Sequence, residues 1–366
     1  MQLENTFVFL KIHTNRKDSN HEQKKQIYSK SVVQIPMIND KIKKHVLQWH
    51  ICHKCNLRCS HCYQEDYKSE LSLEELKKIF FSYRDFCSKN NFKGHINFTG
   101  GEPFLSKNFF PLLDLCEEYG NTFGILTNGT LLDEETVLKL KKYSKLSFVQ
   151  ISLDGTEKVH DSVRGKGNYK KAMNGFSLLK KAGIQSMAAF TCHNNNKDEL
   201  KKVIREARKH KIDRFWADRM IPMGSSTEGI LSTEDFQKMV KILTKEHFRR
   251  VPFSKTDVHL NRALQFSEGG NCYYYCSAGI TLLTVLADGT LLPCRRLPIE
   301  IGNCLEKDIT ELYENSPVIK DLLEDRIPDE CKSCSKAEHC RGGAKCLSYA
   351  VNGDYHTKDI NCYIKY

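Results

Sequence analysis

Cys55-Asn56-Leu57-Arg58-Cys59-Ser60-His61-Cys62-Tyr63 follows directly on the apolar run Val46-Leu47-Gln48-Trp49-His50-Ile51. The run reads as a strand that delivers the chain to a loop. The loop then folds three sulfurs, spaced C-x3-C-x2-C, around one point. Three thiolates hold three irons of a [4Fe–4S] cube and leave the fourth iron open to a small ligand. An electron-transfer cluster takes four cysteines, and structural zinc takes four ligands in a closed tetrahedron. The neighbours keep a second reading open. His50, Cys52, His53 and His61 allow a zinc knuckle, and Cys52-x2-Cys55 allows a zinc or redox pair.

Outward from this loop the chain alternates strand and helix between His45 and about Met223. Short apolar runs recur at Val46–Ile51, His95–Phe98, Phe123–Leu126, Phe148–Leu153, Met187–Thr191 and Arg214–Met220. Between them, Ser72-x-x-Glu75 is a capping-box pattern, and Leu200, Val203, Ile204 and Ala207 share one helical face. Six β–α repeats predict an α/β fold with a parallel sheet and right-handed crossovers. Periodicity alone does not separate an open sheet from a barrel. Polar punctuation closes the runs: Thr99-Gly100-Gly101-Glu102-Pro103, Thr127-Asn128-Gly129, Ser152-Leu153-Asp154-Gly155 and Thr191. The paired glycines let the backbone approach a ligand, and Glu102 offers an acceptor to an ammonium. Arg164 reads either as a fork for a carboxylate or as a surface charge. Asp218 and Arg219 read either as cavity contacts or as a structural ion pair.

A helical bridge follows, with Phe236, Met239, Val240 and Leu243 on one face as core. Eight cysteines then fall within ninety-one residues: Cys272, Cys276, Cys294, Cys331, Cys334, Cys340, Cys346 and Cys362. Cys276 and Cys294 bracket a predicted hairpin, Ile280–Leu286 and Thr290–Leu292, turning at Asp288-Gly289. Gly342-Gly343 lies between two of the later thiols, where glycine lets backbone amides reach cluster sulfides. Two interleaved zinc sites are the alternative. Of the remaining thiols, Cys87 and Cys116 sit within helices and read as small buried hydrophobes.

Composition bounds the rest. The 366 residues suffice for about two domains with a substantial core. No run approaches the ~18 apolar residues of a membrane helix, the N-terminus lacks a signal peptide's apolar region, and a cytoplasmic protein is expected. Sixteen cysteines there point to metal or redox chemistry rather than disulfides. The net charge of +11 lies largely on lysine-rich helices and reads as a solvated surface. An acidic peptide is the partner it would favour, and no basic stripe interleaved with aromatics points to nucleic acid. Residues 1–44 read as a small accessory segment with a strand pair.

The cysteine loop with its trailing Tyr63 resembles the signature of radical S-adenosylmethionine (radical SAM) enzymes, and the later cysteines resemble their SPASM extension. The resemblance covers residues from about 45 to the C-terminus. It implies a partial (βα)6 TIM-like barrel over 45–223, a helical bridge over 224–270 and a SPASM domain over 271–366. It implies that Cys55, Cys59 and Cys62 hold a cluster whose open iron chelates SAM, cleaved by one electron to a 5′-deoxyadenosyl radical. Tyr63, Gly100, Gly101, Glu102, Asn128, Ser152, Asp154, Arg164 and Thr191 would surround the SAM. By position, Cys272, Cys276, Cys294 and Cys346 would hold one auxiliary [4Fe–4S] cluster, and Cys331, Cys334, Cys340 and Cys362 another. The x5 gap between Cys340 and Cys346 departs from the family's x3. Relatives with two auxiliary clusters act mostly on peptides, which implies a maturase that crosslinks a ribosomally made peptide and a flavodoxin- or ferredoxin-type electron donor. Sulfatase-maturing relatives carry an aspartate base directly after the cysteine matching Cys294. This chain has Arg295, which takes no proton at neutral pH. A sulfatase-maturation-like enzyme using a different base, a small-molecule or porphyrin-directed oxidoreductase and a zinc-stabilised binding module remain the alternatives.

Overall fold

The computed structural model describes residues 43–62, 70–222, 229–249, 251–252, 254–268, 276–324 and 326–364. The expected strand pair in 1–44, Tyr63 and Cys272 lie outside the described residues. The six expected strands form in order. β1 (Lys43–His50), α1 (Leu73–Lys89), β2 (Phe92–Thr99), α2 (Phe109–Glu118), β3 (Thr122–Thr127) and α3 (Glu134–Leu140) come first. β4 (Leu146–Ser152), α4 (Glu157–Arg164), α5 (Asn168–Ala182), β5 (Ser186–Cys192), α6 (Leu200–Lys209) and β6 (Arg214–Arg219) complete the repeats. α7 (Thr233–Phe248) leads to β7 (Asp257–Val258), then to β8 (Leu282–Val285), β9 (Thr290–Leu292) and β10 (Gly302–Asn303). Helices α8 (Ile309–Asn315), α9 (Pro317–Glu324), α10 (Ala337–Cys340) and α11 (Lys345–Asn352) close the described chain.

Local chemistry accounts for the helices. The Ser72 side chain accepts from Glu75 N while the Glu75 carboxylate accepts from Ser72 N at 2.8 Å, completing the capping box of α1. From that start Leu76, Ile79, Phe80, Tyr83 and Phe86 fall on one buried face. The faces expected for α6 and α7 are buried as well. Under them lies an aromatic core in which Phe98 stacks on Trp49 (5.9 Å between centroids) and meets Phe123 edge-on.

All ten strands belong to one sheet, ordered β10-β9-β8-β1-β2-β3-β4-β5-β6-β7. β1 to β6 run parallel, so their C-terminal ends share one rim, where the polar punctuation collects. The register sets His50 opposite Thr99 and Thr191 opposite Asp218. The cysteine loop after β1 and the Gly-Gly after β2 therefore leave the sheet side by side.

The later hairpin forms as expected, β8 against β9, and it joins the same sheet. β8 runs parallel to β1, with Trp49 opposite Val285. At the other end β7, from the stretch expected to be a helical bridge, extends β6. The boundaries expected at 223 and 270 thus fall inside one compact unit spanning Ile42–Tyr366. The open edges of β1 and β6 each gain a ladder of hydrogen bonds from later chain. No helix among the described residues is long and apolar enough to cross a membrane.

Candidate active site and its cysteine centres

The loop after β1 is held from two sides. Ser60 N donates to Val163 O on α4 (3.0 Å), and Cys62 N donates to Cys59 O (3.0 Å). Leu57 N points at Cys55 Sγ, 3.4 Å away. Cys55 and Cys59 are half-buried and Cys62 is exposed. Against the approach to this loop lies the Gly-Gly turn. Gly101 N donates to Cys52 O (2.8 Å) and Glu102 N to Lys54 O (2.7 Å). A Cβ at Gly100 would lie 2.5 Å from Cys52 O, and one at Gly101 would lie 2.1 Å from Lys54 O. The glycines are needed because backbone meets backbone here.

Glu102 is fully buried, and its carboxylate is engaged by the protein. It accepts from the Thr127 hydroxyl (2.7 Å), Asn128 N (2.8 Å) and Phe104 N (3.4 Å). Burial pushes its carboxyl up to about 7 against the pull of these donors. Asn128 then reaches the cluster loop, its Nδ2 donating to Asn56 Oδ1 at 2.9 Å and lying 4.0 Å from Cys55 Sγ. Glu102 thus fixes the ends of β2 and β3 around the thiols.

Asp154 and Arg164 form a buried pair, Nε to Oδ2 at 2.5 Å. Asp154 also accepts from Thr191 N (2.9 Å) and lies 3.7 Å from His61 Nε2. Burial opposes its ionisation, but Arg164, His61 and Thr191 N–H outweigh burial and hold the carboxyl at about 2. Arg164 Nη1 lies 3.5 Å from Cys59 Sγ, so the surface-charge reading of Arg164 is corrected. Burial raises the Cys59 thiol, and the guanidinium pulls the other way, favouring thiolate. Ser152 and Thr191 are half-buried on the same rim.

Among the described residues the later thiols lie in two groups. Cys276, Cys294 and Cys346 are packed within one apolar cluster with Ala278, Leu297 and Leu322. Each of them lies close enough to feel charge on another. Lys345 N–H donates to Cys276, and Arg296 N points at Cys294 Sγ (3.4 Å). Arg296 reaches Asp218 on β6 (2.5 Å); Arg262 also reaches Asp218 (3.2 Å) and lies over the Trp216 ring. Arg296 is therefore tied to the barrel rim.

Cys331, Cys334, Cys340 and Cys362 form the other set, coupled in the same way. Cys334 N donates to Cys331 O (3.0 Å), and Lys336 N points at Cys334 Sγ (3.4 Å). Arg219, beside Asp218 in sequence, turns away from it to Asp359, near Cys362. The two residues thus belong to different ion pairs. Gly342 and Gly343, at φ +86° and +89°, make room for the terminal segment, since a Cβ at Gly343 would lie 2.5 Å from Asp359 Cβ. Ala344 N donates to Asp359 Oδ2 (2.9 Å). These glycines seat Asp359.

Among the described residues no three His, Cys, Asp or Glu side chains are drawn in around a single metal ion. The thiols are grouped more loosely, with amide N–H groups aimed at sulfur and a guanidinium beside two of the three sets. That is the donor set and surrounding an iron–sulfur cube uses. Sequence reasoning missed Asp359, Lys345 and Arg262, because their partners come from other elements of the fold, and it read His61 as a possible zinc ligand where the structure sets it beside Asp154. A histidine between two motif cysteines was the one available signal.

A model of the radical SAM superfamily matches residues 49–207, and that of an iron–sulfur cluster-binding domain, SPASM, matches residues 276–335. The chain carries a radical SAM domain and a SPASM domain. Cys340, Cys346 and Cys362 lie beyond the matched SPASM stretch and are brought to it by the fold. This radical SAM enzyme is 28% identical over 360 residues to the Fe-coproporphyrin III synthase of Methanosarcina barkeri, covering 88% of this chain and 89% of that protein. It is also 28% identical to the sporulation killing factor maturation protein SkfB of Bacillus subtilis, covering 78% of this chain and 67% of that protein. Its fold is similar to that of SuiB from Streptococcus suis bound to S-adenosylmethionine. The TM-score is 0.73 at 18% identity, over 88% of this chain and 78% of that one.

Proposed function

We propose that this radical SAM/SPASM enzyme is a maturase that installs an oxidative crosslink, thioether or carbon–carbon, in a ribosomally synthesised peptide. SAM with its cluster supplies a 5′-deoxyadenosyl radical that removes a substrate hydrogen. Cys55, Cys59 and Cys62 would hold that cluster. Asn128, Ser152, Thr191 and the Gly100-Gly101 backbone line the rim where SAM would lie, and Glu102, Asp154 and Arg164 keep that rim in shape. Cys276, Cys294 and Cys346, with Cys272 as fourth ligand, would hold one auxiliary cluster, and Cys331, Cys334, Cys340 and Cys362 the other.

The observation that carries the reading is the Arg296–Asp218 pair. It ties the residues just after Cys294 to the rim of the parallel strands, so an electron acceptor would stand beside the reacting carbon. Removing a hydrogen atom and then an electron is a net oxidation, which suits crosslink formation. Similarity to a named maturation protein supports a peptide substrate. Asp218 does not supply the base missing after Cys294, because Arg296 and Arg262 hold its carboxyl below the usual range against the effect of burial. A flavodoxin- or ferredoxin-type donor and a cytoplasmic setting complete the proposal.

The match along nearly the whole of an Fe-coproporphyrin III synthase favours a second reading, oxidation of a porphyrin-type cofactor. Deuterium transfer separates the two. Candidate precursor peptides grown with deuterated amino acids should pass deuterium into 5′-deoxyadenosine, with a mass loss in the peptide. Transfer only from a deuterated porphyrin substrate would establish the second reading and sink the first.

A further inference from the structure

Lys345 sits under three physical disadvantages. It is 3% exposed, and its Nζ has no hydrogen-bond partner among the described residues. It is also the first residue of α11, where the helix dipole disfavours a cation. A buried, unpaired ammonium at the wrong end of a helix costs stability unless an anion stands against it. No carboxylate is paired with it among the described residues. Its own amide N–H donates to Cys276, and Cys346 is its neighbour in sequence.

The Lys345 charge acts on the Cys276 thiol as well as on His356, and the anion within its reach is the centre on Cys276, Cys294 and Cys346. A cube ligated by thiolates carries net negative charge and gains one more on reduction. A fixed cation beside it stabilises the reduced form more than the oxidised form and so raises the reduction potential. Lys345 is the last residue of the five-residue gap between Cys340 and Cys346.

We infer that Lys345 is a positioning residue that supplies the buried counter-charge of this auxiliary cluster and sets its potential high enough to accept the substrate's electron. The inference rests on the reading of these three cysteines as cluster ligands.

The test is an EPR-monitored redox titration of anaerobically reconstituted holoenzyme, with iron and sulfide counted in each sample. Lys345→Met and Lys345→Gln should shift one auxiliary signal to lower potential, while Lys345→Arg holds it and the SAM-cleaving centre does not move. Loss of one cluster's iron in the two neutral variants, with retention in Lys345→Arg, also supports the inference. Full iron with unmoved potentials in the neutral variants overturns it. Loss of iron in all three variants overturns it as well, because Arg keeps the charge. Wild-type protein holding iron for the SAM-cleaving cluster alone removes the reading of the cysteines themselves, which the iron count reveals before any variant is made.

Discussion

Arg219 forks onto Asp359, Nη1 to Oδ1 at 2.7 Å and Nη2 to Oδ2 at 2.8 Å, and so clamps the end of β6 to the segment carrying Cys362. Both side chains are almost wholly buried, and the guanidinium lies over the Phe236 ring at 3.9 Å. Removing one partner of such a pair leaves a buried charge uncompensated, at a cost of about 3–5 kcal/mol. Asp359→Ala and Arg219→Met should each lower the urea midpoint and release iron from the centre on Cys331, Cys334, Cys340 and Cys362. Variants with wild-type iron and midpoint would show that the clamp contributes nothing to holding the terminal segment.

Gly101→Ala should act on the other centre. Its methyl group would lie 2.1 Å from Lys54 O, which forces the turn after β2 away from the approach to the cysteine loop. The expected outcome is loss of roughly four of about twelve irons, with the auxiliary clusters intact. Equilibrium dialysis should show SAM binding lost with them. Full iron and unaltered SAM affinity would refute the backbone-contact argument.

The Glu102 carboxyl leaves a pH signature in the SAM-free protein. Its folded pKa is about 7, raised by burial from 4.5. The folded state therefore holds the proton more tightly than the unfolded chain. This contribution to stability is complete below the unfolded pKa, declines as pH rises and is gone above the folded pKa. It amounts to on the order of 3 kcal/mol between those limits. Glu102→Gln keeps an acceptor for Asn128 N and cannot ionise, so its urea midpoint should fall less than the wild type's across that window. Parallel pH curves would contradict the assignment.

Thiol labelling separates ligands from packing cysteines. Burial pushes the thiols of Cys52 and Cys304 up to about 12 and that of Cys87 to about 11, while Cys116 and Cys192 are fully buried. Thiols at these values are between roughly one part in a thousand and one part in ten thousand thiolate at about pH 8. Iodoacetamide followed by peptide mapping should leave these five unmodified. Cys55, Cys59 and Cys62 should react in cluster-free protein and be protected on reconstitution. Rapid labelling of Cys52, or no protection at Cys59, would reverse the two assignments.

Much of this was legible in the chain. Alternation of short apolar runs with helical faces determines the six parallel strands, because period and length are local properties that burial then rewards. The spacing of Cys55, Cys59 and Cys62 places three thiols on one loop, for the same local reason. The division of the later cysteines into two ligand sets came from resemblance, while the fold sets Cys276, Cys294 and Cys346 near one another and Cys331, Cys334, Cys340 and Cys362 near one another. Tertiary structure alone decided the rest. The pairing of β8 with β1 carries Cys294 to the rim, and strand partners distant in sequence leave no local pattern. Adjacent Asp218 and Arg219 part to opposite partners because neighbours on a strand point to opposite faces. Arg164 is buried against Asp154 and Cys59, although its surrounding residues read as surface. In the last two cases the deciding interaction is between charges that cannot be buried alone, and only the folded chain brings their partners to them.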